Sequence, residues 1–94
     1  MEQLTPIDDI DVRRRRALWR ATHRGTKELD ILIGAYASAN LGRMDAAELT
    51  HFEQFLTQQE TELQALLLAP TAAHDVPFAD ILNAVRAFHG MPSA

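Results

Sequence analysis

Apolar residues recur at steps of three and four along almost the whole chain, and no segment alternates with a period of two. That spacing places side chains on one face of a helix, whereas a half-buried strand needs alternation. Ile7, Ile10, Ala17, Leu18 and Ala21 form a loose stripe on a first segment, roughly residues 7–23. Leu29, Leu32, Ile33, Tyr36 and Ala37 mark a second helix over about 27–40. Leu49, Phe52, Phe55 and Leu56 mark a third, and Leu63, Leu66 and Leu67 a short fourth. Phe78, Ile81, Leu82, Val85 and Phe88 give the cleanest stripe, on a fifth.

The residues between these stripes agree with the division. Gly25, Gly42 and Gly90 each follow a periodic run, where a left-handed residue commonly ends a helix. Asp45 with Glu48, and Thr57 with Glu60, have capping-box spacing. Pro70 stops the fourth helix, and Pro77 suits the first turn of the fifth, where its missing N–H costs nothing. Residues 70–76 form the longest connection, expected to be mobile. The expected fold is all-α: a compact five-helix bundle in a single domain over 1–94, ordered from about 8 to 90 with flexible ends.

Ninety-four residues suffice for one core and little more. Without cysteine, disulfides, thiolate metal sites and cysteine nucleophiles are excluded, and a reducing compartment is the simplest setting. The longest apolar runs, such as residues 66–70, are far too short to span a membrane, so no membrane insertion is expected. Glu2, Asp8, Asp9 and Asp11 make the arginine-rich N-terminus a poor mitochondrial presequence. A bacterial cytoplasmic protein is therefore expected, or a processed matrix protein in a eukaryote.

Little in the chain argues for catalysis. His23, His51, His74 and His89 are too far apart for a helical zinc pair, and no phosphate-binding glycine loop or nucleophile elbow occurs. Glu60 and Glu62 read as first-turn charges at a helix start. The net charge is −4, with +3 carried by residues 1–27 and −7 by residues 28–94. The run Arg13–Arg16, followed by Arg20 and Arg24, fans around a helix and does not line one groove-facing stripe. With an acidic balance overall, an acidic protein surface suits these arginines better than a nucleic acid.

The corner between the first two helices carries the most information. Arg24 complements a helix C-terminus, Gly25 gives the turn its freedom, Thr26 can cap the next helix, and Glu28 and Asp30 sit at its positive end. Local physics thus gives every residue there a structural task. The same stretch, Arg24-Gly25-Thr26-Lys27-Glu28-Leu29-Asp30, resembles the Arg-Gly-x-x-Glu-x-Asp signature of the succinate dehydrogenase flavinylation-factor family, the SdhE-type proteins of bacteria and their mitochondrial relatives. The resemblance covers about residues 12–89. It takes in Trp19 on a basic first helix, the segment from Leu41 to Glu48, and the ending Val85-Arg86-Ala87-Phe88-His89. Residues 60–66 depart from the family by lacking its Asp-Pro-Asp-type loop and fourth-helix tryptophan, leaving Leu66 to fill the core position.

The resemblance implies a FAD assembly factor that is not itself an enzyme. It implies a partner, the flavoprotein subunit of succinate dehydrogenase or of fumarate reductase, whose own histidine receives the flavin. The factor would hold no cofactor and act as a monomer. Arg24, Gly25 and Glu28 would contact the client, with Asp30 in support and Trp19 as an apolar anchor. The other reading is a generic helical interaction module of the antitoxin-like kind.

Overall fold

The computed structural model describes residues 6–91, with side chains from Ile10 onward; the expected flexible ends and the Ile7 side chain lie outside the described set. Five α-helices follow one another: α1 (Pro6–Thr22), α2 (Lys27–Asn40), α3 (Ala46–Phe55), α4 (Glu60–Leu67) and α5 (Ala79–Phe88), with a 3-10 turn over Leu41–Arg43. No strand occurs among the described residues.

Each helix buries the stripe its spacing dictates. Leu29, Ile33 and Ala37 of α2, Leu49, Phe52 and Phe55 of α3, Leu63 and Leu67 of α4, and Leu82 and Val85 of α5 form one core. Among the described side chains, α1 adds the fully buried Ala17 and Ala21, small residues that let its backbone approach α2, with Ile10 and Leu18 partly buried beside them. A Cβ on Gly34 would lie 2.9 Å from Thr22 Cγ2, so this glycine exists for helix contact. Burial of each large apolar side chain stabilises by about 1.5–3 kcal/mol. Phe88, at the end of the cleanest stripe, is instead 47% exposed and packs edge-on against Tyr36 at 5.8 Å. Leu66 is half-buried against the core.

The helix starts fall into three kinds. Thr26 caps α2 by accepting from the Leu29 N–H at 3.3 Å. Asp45 and Glu48 form a complete capping box on α3, with reciprocal bonds of 2.8 and 2.9 Å. The second expected box does not form: the Thr57 hydroxyl donates backward to the Gln54 carbonyl at 2.6 Å, and Gln59 precedes α4 with no side-chain cap. Pro77 lies before α5 and not in its first turn, because Phe78 in the left-handed region (φ 63°) redirects the chain into that helix. Of the three glycines expected in that region, only Gly90 adopts it (φ 73°). There Met91 and Gly90 donate to the Arg86 and Ala87 carbonyls, closing α5.

Two side chains of α5 hold the long connection after α4. Arg86 is 2% exposed and donates to the Leu67 and Ala69 carbonyls at 2.8 and 2.7 Å. Asn83 pairs with both backbone groups of Ala73 at 2.8 and 2.9 Å. The segment expected to be mobile, residues 70–76, is therefore held just before its start and at its middle. The arginine run is split in the same manner. Arg13 binds Glu53 and Thr50 of α3, and Arg14 donates to the Met44 carbonyl at 2.8 Å, while Arg15 and Arg16 face solvent.

Candidate functional site

Residues 23–26 carry the chain from α1 into α2, and α4 begins directly beside this corner. Arg24 points inward. Its side chain is 8% exposed, and it donates through Nη1 to the Leu56 carbonyl at 2.6 Å and through Nη2 to the Gln58 carbonyl at 3.1 Å. Nη2 also lies 2.7 Å from Glu60 Oε1. Nε is buried with no hydrogen-bond partner. The guanidinium thus ties the α1–α2 corner to the turn between α3 and α4.

Backbone groups complete the corner. The Arg24 N–H donates to Asp30 Oδ1, and the Gly25 N–H donates to Glu60 Oε2. A Cβ built on Gly25 would lie 2.8 Å from that same oxygen. Glycine leaves room here for the Glu60 carboxylate, and its φ is not positive, so no unusual backbone angle calls for it. Arg24 is therefore bonded to Asp30 through its backbone and to Glu60 through its side chain, and the Gly25 N–H shares Glu60 with it.

Glu28 and Trp19 face the other way. Glu28 is exposed, and its carboxylate has no hydrogen bond or ion pair among the described residues. Trp19 is 61% exposed and stacks on His23 with ring centroids 4.1 Å apart and planes 10° apart. The His23 ring nitrogen Nδ1 lies 2.8 Å from the Trp19 carbonyl, which fixes the stack one helical turn before the corner. Such a large, rigid and solvent-facing aromatic is the type of residue that anchors protein interfaces.

Sequence reasoning missed Glu60 as a member of this constellation. Its position at the start of α4 gave a sufficient local reason for a carboxylate, and no spacing rule connects it to Gly25. Its spacing from Thr57 pointed instead to a capping role, so no local pattern in the sequence signalled the reach across to residues 24 and 25.

A second concavity lies at the opposite end of α2. It is an open groove of about 370 Å³ with Tyr36, Met44 and Phe52 on its apolar side and Arg43, Glu48, His51 and Asp80 on its polar side. His51 Nε2 approaches Asp80 Oδ2 at 2.9 Å. Burial pushes the Tyr36 hydroxyl above its usual value of 10.0. The groove is at the small end of the range for ligand pockets. Among the described residues, no group of side chains could hold a metal ion, and no helix is long and apolar enough to cross a membrane.

Comparison with known proteins adds to this geometry. A family model described as "Flavinator of succinate dehydrogenase" matches residues 15–89. A FAD assembly factor SdhE of Acetobacter pasteurianus is 50% identical over 56 residues, which are 60% of this chain and 51% of that protein. The mitochondrial succinate dehydrogenase assembly factor 2 of Caenorhabditis elegans is 35% identical over 57 residues, 61% of this chain and 48% of its own. The matched stretch thus spans about half the length of these curated relatives. No solved structure matches the chain.

Proposed function

The chain belongs to the family of flavinators of succinate dehydrogenase, and from that membership we propose that it is a non-enzymatic FAD assembly factor. Its client is the flavoprotein subunit of succinate dehydrogenase, or of the related fumarate reductase. The factor binds that subunit as a monomer and carries no flavin of its own. It works where flavoproteins are assembled, in the bacterial cytoplasm or the mitochondrial matrix.

One observation carries the reading beyond family membership: an exposed Glu28, unpaired among the described residues, and an exposed Trp19 flank a corner whose backbone is locked from behind by Arg24. A rigid corner loses little conformational freedom on docking, so more of its contact energy appears as affinity. Glu28 and Trp19 meet the client directly, Gly25 allows close approach, and Arg24 and Asp30 keep the turn in register. Mechanistically, a factor of this kind favours the client conformation in which bound FAD meets the acceptor histidine. It shifts that equilibrium only by its differential affinity for the two conformations.

The test is covalent flavin in the client. Deleting the factor is expected to leave the denatured flavoprotein subunit with little flavin fluorescence in a gel, and co-expression to restore it. Unchanged covalent flavin in the deletion strain would remove this client from consideration.

A further inference from the structure

Behind the exposed part of the corner is a built anion site. Arg24 Nη2 and the Gly25 N–H converge on the two oxygens of one carboxylate, that of Glu60. We propose that this is a carboxylate-binding site, occupied by Glu60 in the free chain, and that an acidic side chain of the client takes Glu60's place on docking. The identity of the client rests on the reading above; the existence of the site does not.

Three features support an exchangeable occupant. The guanidinium does not depend on Glu60 for its position, because the Leu56 and Gln58 carbonyls also hold it. The arginine is 8% exposed while Glu60 is 34% exposed, so the cradle is internal and its ligand lies on the solvent side. Finally, α4 does not need the Glu60 side chain where it now sits. Its first turn closes through the Leu63 N–H and Gln59 carbonyl at 3.0 Å, and a released Glu60 remains beside the free N–H groups of the helix start, where a carboxylate is favourable.

The chemistry selects the ligand class. A guanidinium N–H and a backbone N–H spaced for two oxygens suit a carboxylate, and the missing Cβ of Gly25 provides the volume for the second oxygen. Any side chain at position 25 would enter the site itself. The glycine therefore serves the same anion whether it comes from Glu60 or from a partner.

Two measurements on the full chain decide the matter. Glu60→Ala empties the site, and Glu60→Ser, which also removes the carboxylate, gives a second background. Formate, compared with chloride at equal ionic strength, is expected to raise the melting temperature of these variants by about 4 °C or more relative to wild type. An equal response from variants and wild type would overturn the site. Separately, Glu60→Gln removes the competing anion while keeping its shape. This variant is expected to bind the purified succinate dehydrogenase flavoprotein subunit about two- to fivefold tighter than wild type, the range for a part-exposed ion pair. Equal or weaker binding would overturn the exchange. If wild type fails to bind at all, the client assignment fails, and the formate comparison still judges the site.

Discussion

The Arg24 guanidinium meets the Glu60 carboxylate at 2.7 Å, with the arginine nearly enclosed and the glutamate partly open to water. The contact joins the first turn of the bundle to the start of its fourth helix, so the corner's shape depends on residues distant in the chain. A planar fork of donors suits this position, because it must serve two carbonyls and a carboxylate at once.

Arg24→Lys is accordingly expected to destabilise the chain by about 2–3 kcal/mol, since a single ammonium cannot reproduce the fork. Arg24→Ala is expected to cost at least as much. Urea unfolding followed by circular dichroism measures both. A loss of client binding without any loss of stability would show that Arg24 does not hold the corner together and serves the client contact alone.

Gly25→Ala places a Cβ 2.8 Å from Glu60 Oε2, the mobile end of a flexible side chain. The glutamate can move aside, so the expected cost is one hydrogen bond, about 1 kcal/mol. The same substitution made on Glu60→Ala is expected to be close to neutral. A double-mutant cycle reads the coupling directly.

Gly34→Ala tests the α1–α2 contact. Helix propensity alone favours alanine by about 1 kcal/mol. Against it, the new Cβ meets Thr22 Cγ2 at 2.9 Å, and the Thr22 hydroxyl is fixed by the Leu18 carbonyl at 2.9 Å. The clash is expected to win, giving a net loss of about 1–2 kcal/mol. Thr22→Ser removes that methyl and keeps the hydroxyl, so in its background Gly34→Ala is expected to become neutral or stabilising.

Acid should weaken the link between α1 and α3. The hydrogen bond from Arg13 holds the Glu53 carboxyl below its ordinary value of 4.5. For Asp80, burial opposes ionisation, but hydrogen bonds from His51 and the Ile81 backbone prevail and hold it below 3.8. A folded-state value below the unfolded one means stabilisation that is present above the unfolded value. It is lost as pH falls through the folded value. Urea midpoints are therefore expected to fall as the pH drops through and below the ordinary values of 4.5 and 3.8, and Glu53→Gln to flatten part of that dependence.

The helices were legible because their burial follows local spacing; the α2 boundaries, Lys27–Asn40, coincide with those read from the sequence. What was not legible depends on contacts between distant segments. Thr57 and Glu60 have capping-box spacing, yet Arg24 and the Gly25 N–H draw Glu60 away from that role. Phe88 continues the α5 stripe but lies where the bundle ends, so it stays half exposed. The Thr26 cap on α2 was legible at the corner, while the inward turn of Arg24 and the part played by Glu60 required the packed structure.

Trp19 and Glu28 separate binding from folding. Trp19 is the chain's single tryptophan, and at 61% exposure its ring adds little to the core. Trp19→Ala is expected to leave stability within about 0.5 kcal/mol of wild type, and Glu28→Gln to cost only a few tenths at the start of α2. If these side chains meet the client, Trp19→Ala should weaken binding by about 2 kcal/mol, roughly thirtyfold. The wild-type emission gives an independent readout. It should be that of a water-exposed indole in the free protein and shift to shorter wavelength on adding the flavoprotein subunit. An unshifted emission in a saturated complex would place the client elsewhere on the bundle and leave the stack on His23 as a local feature of α1.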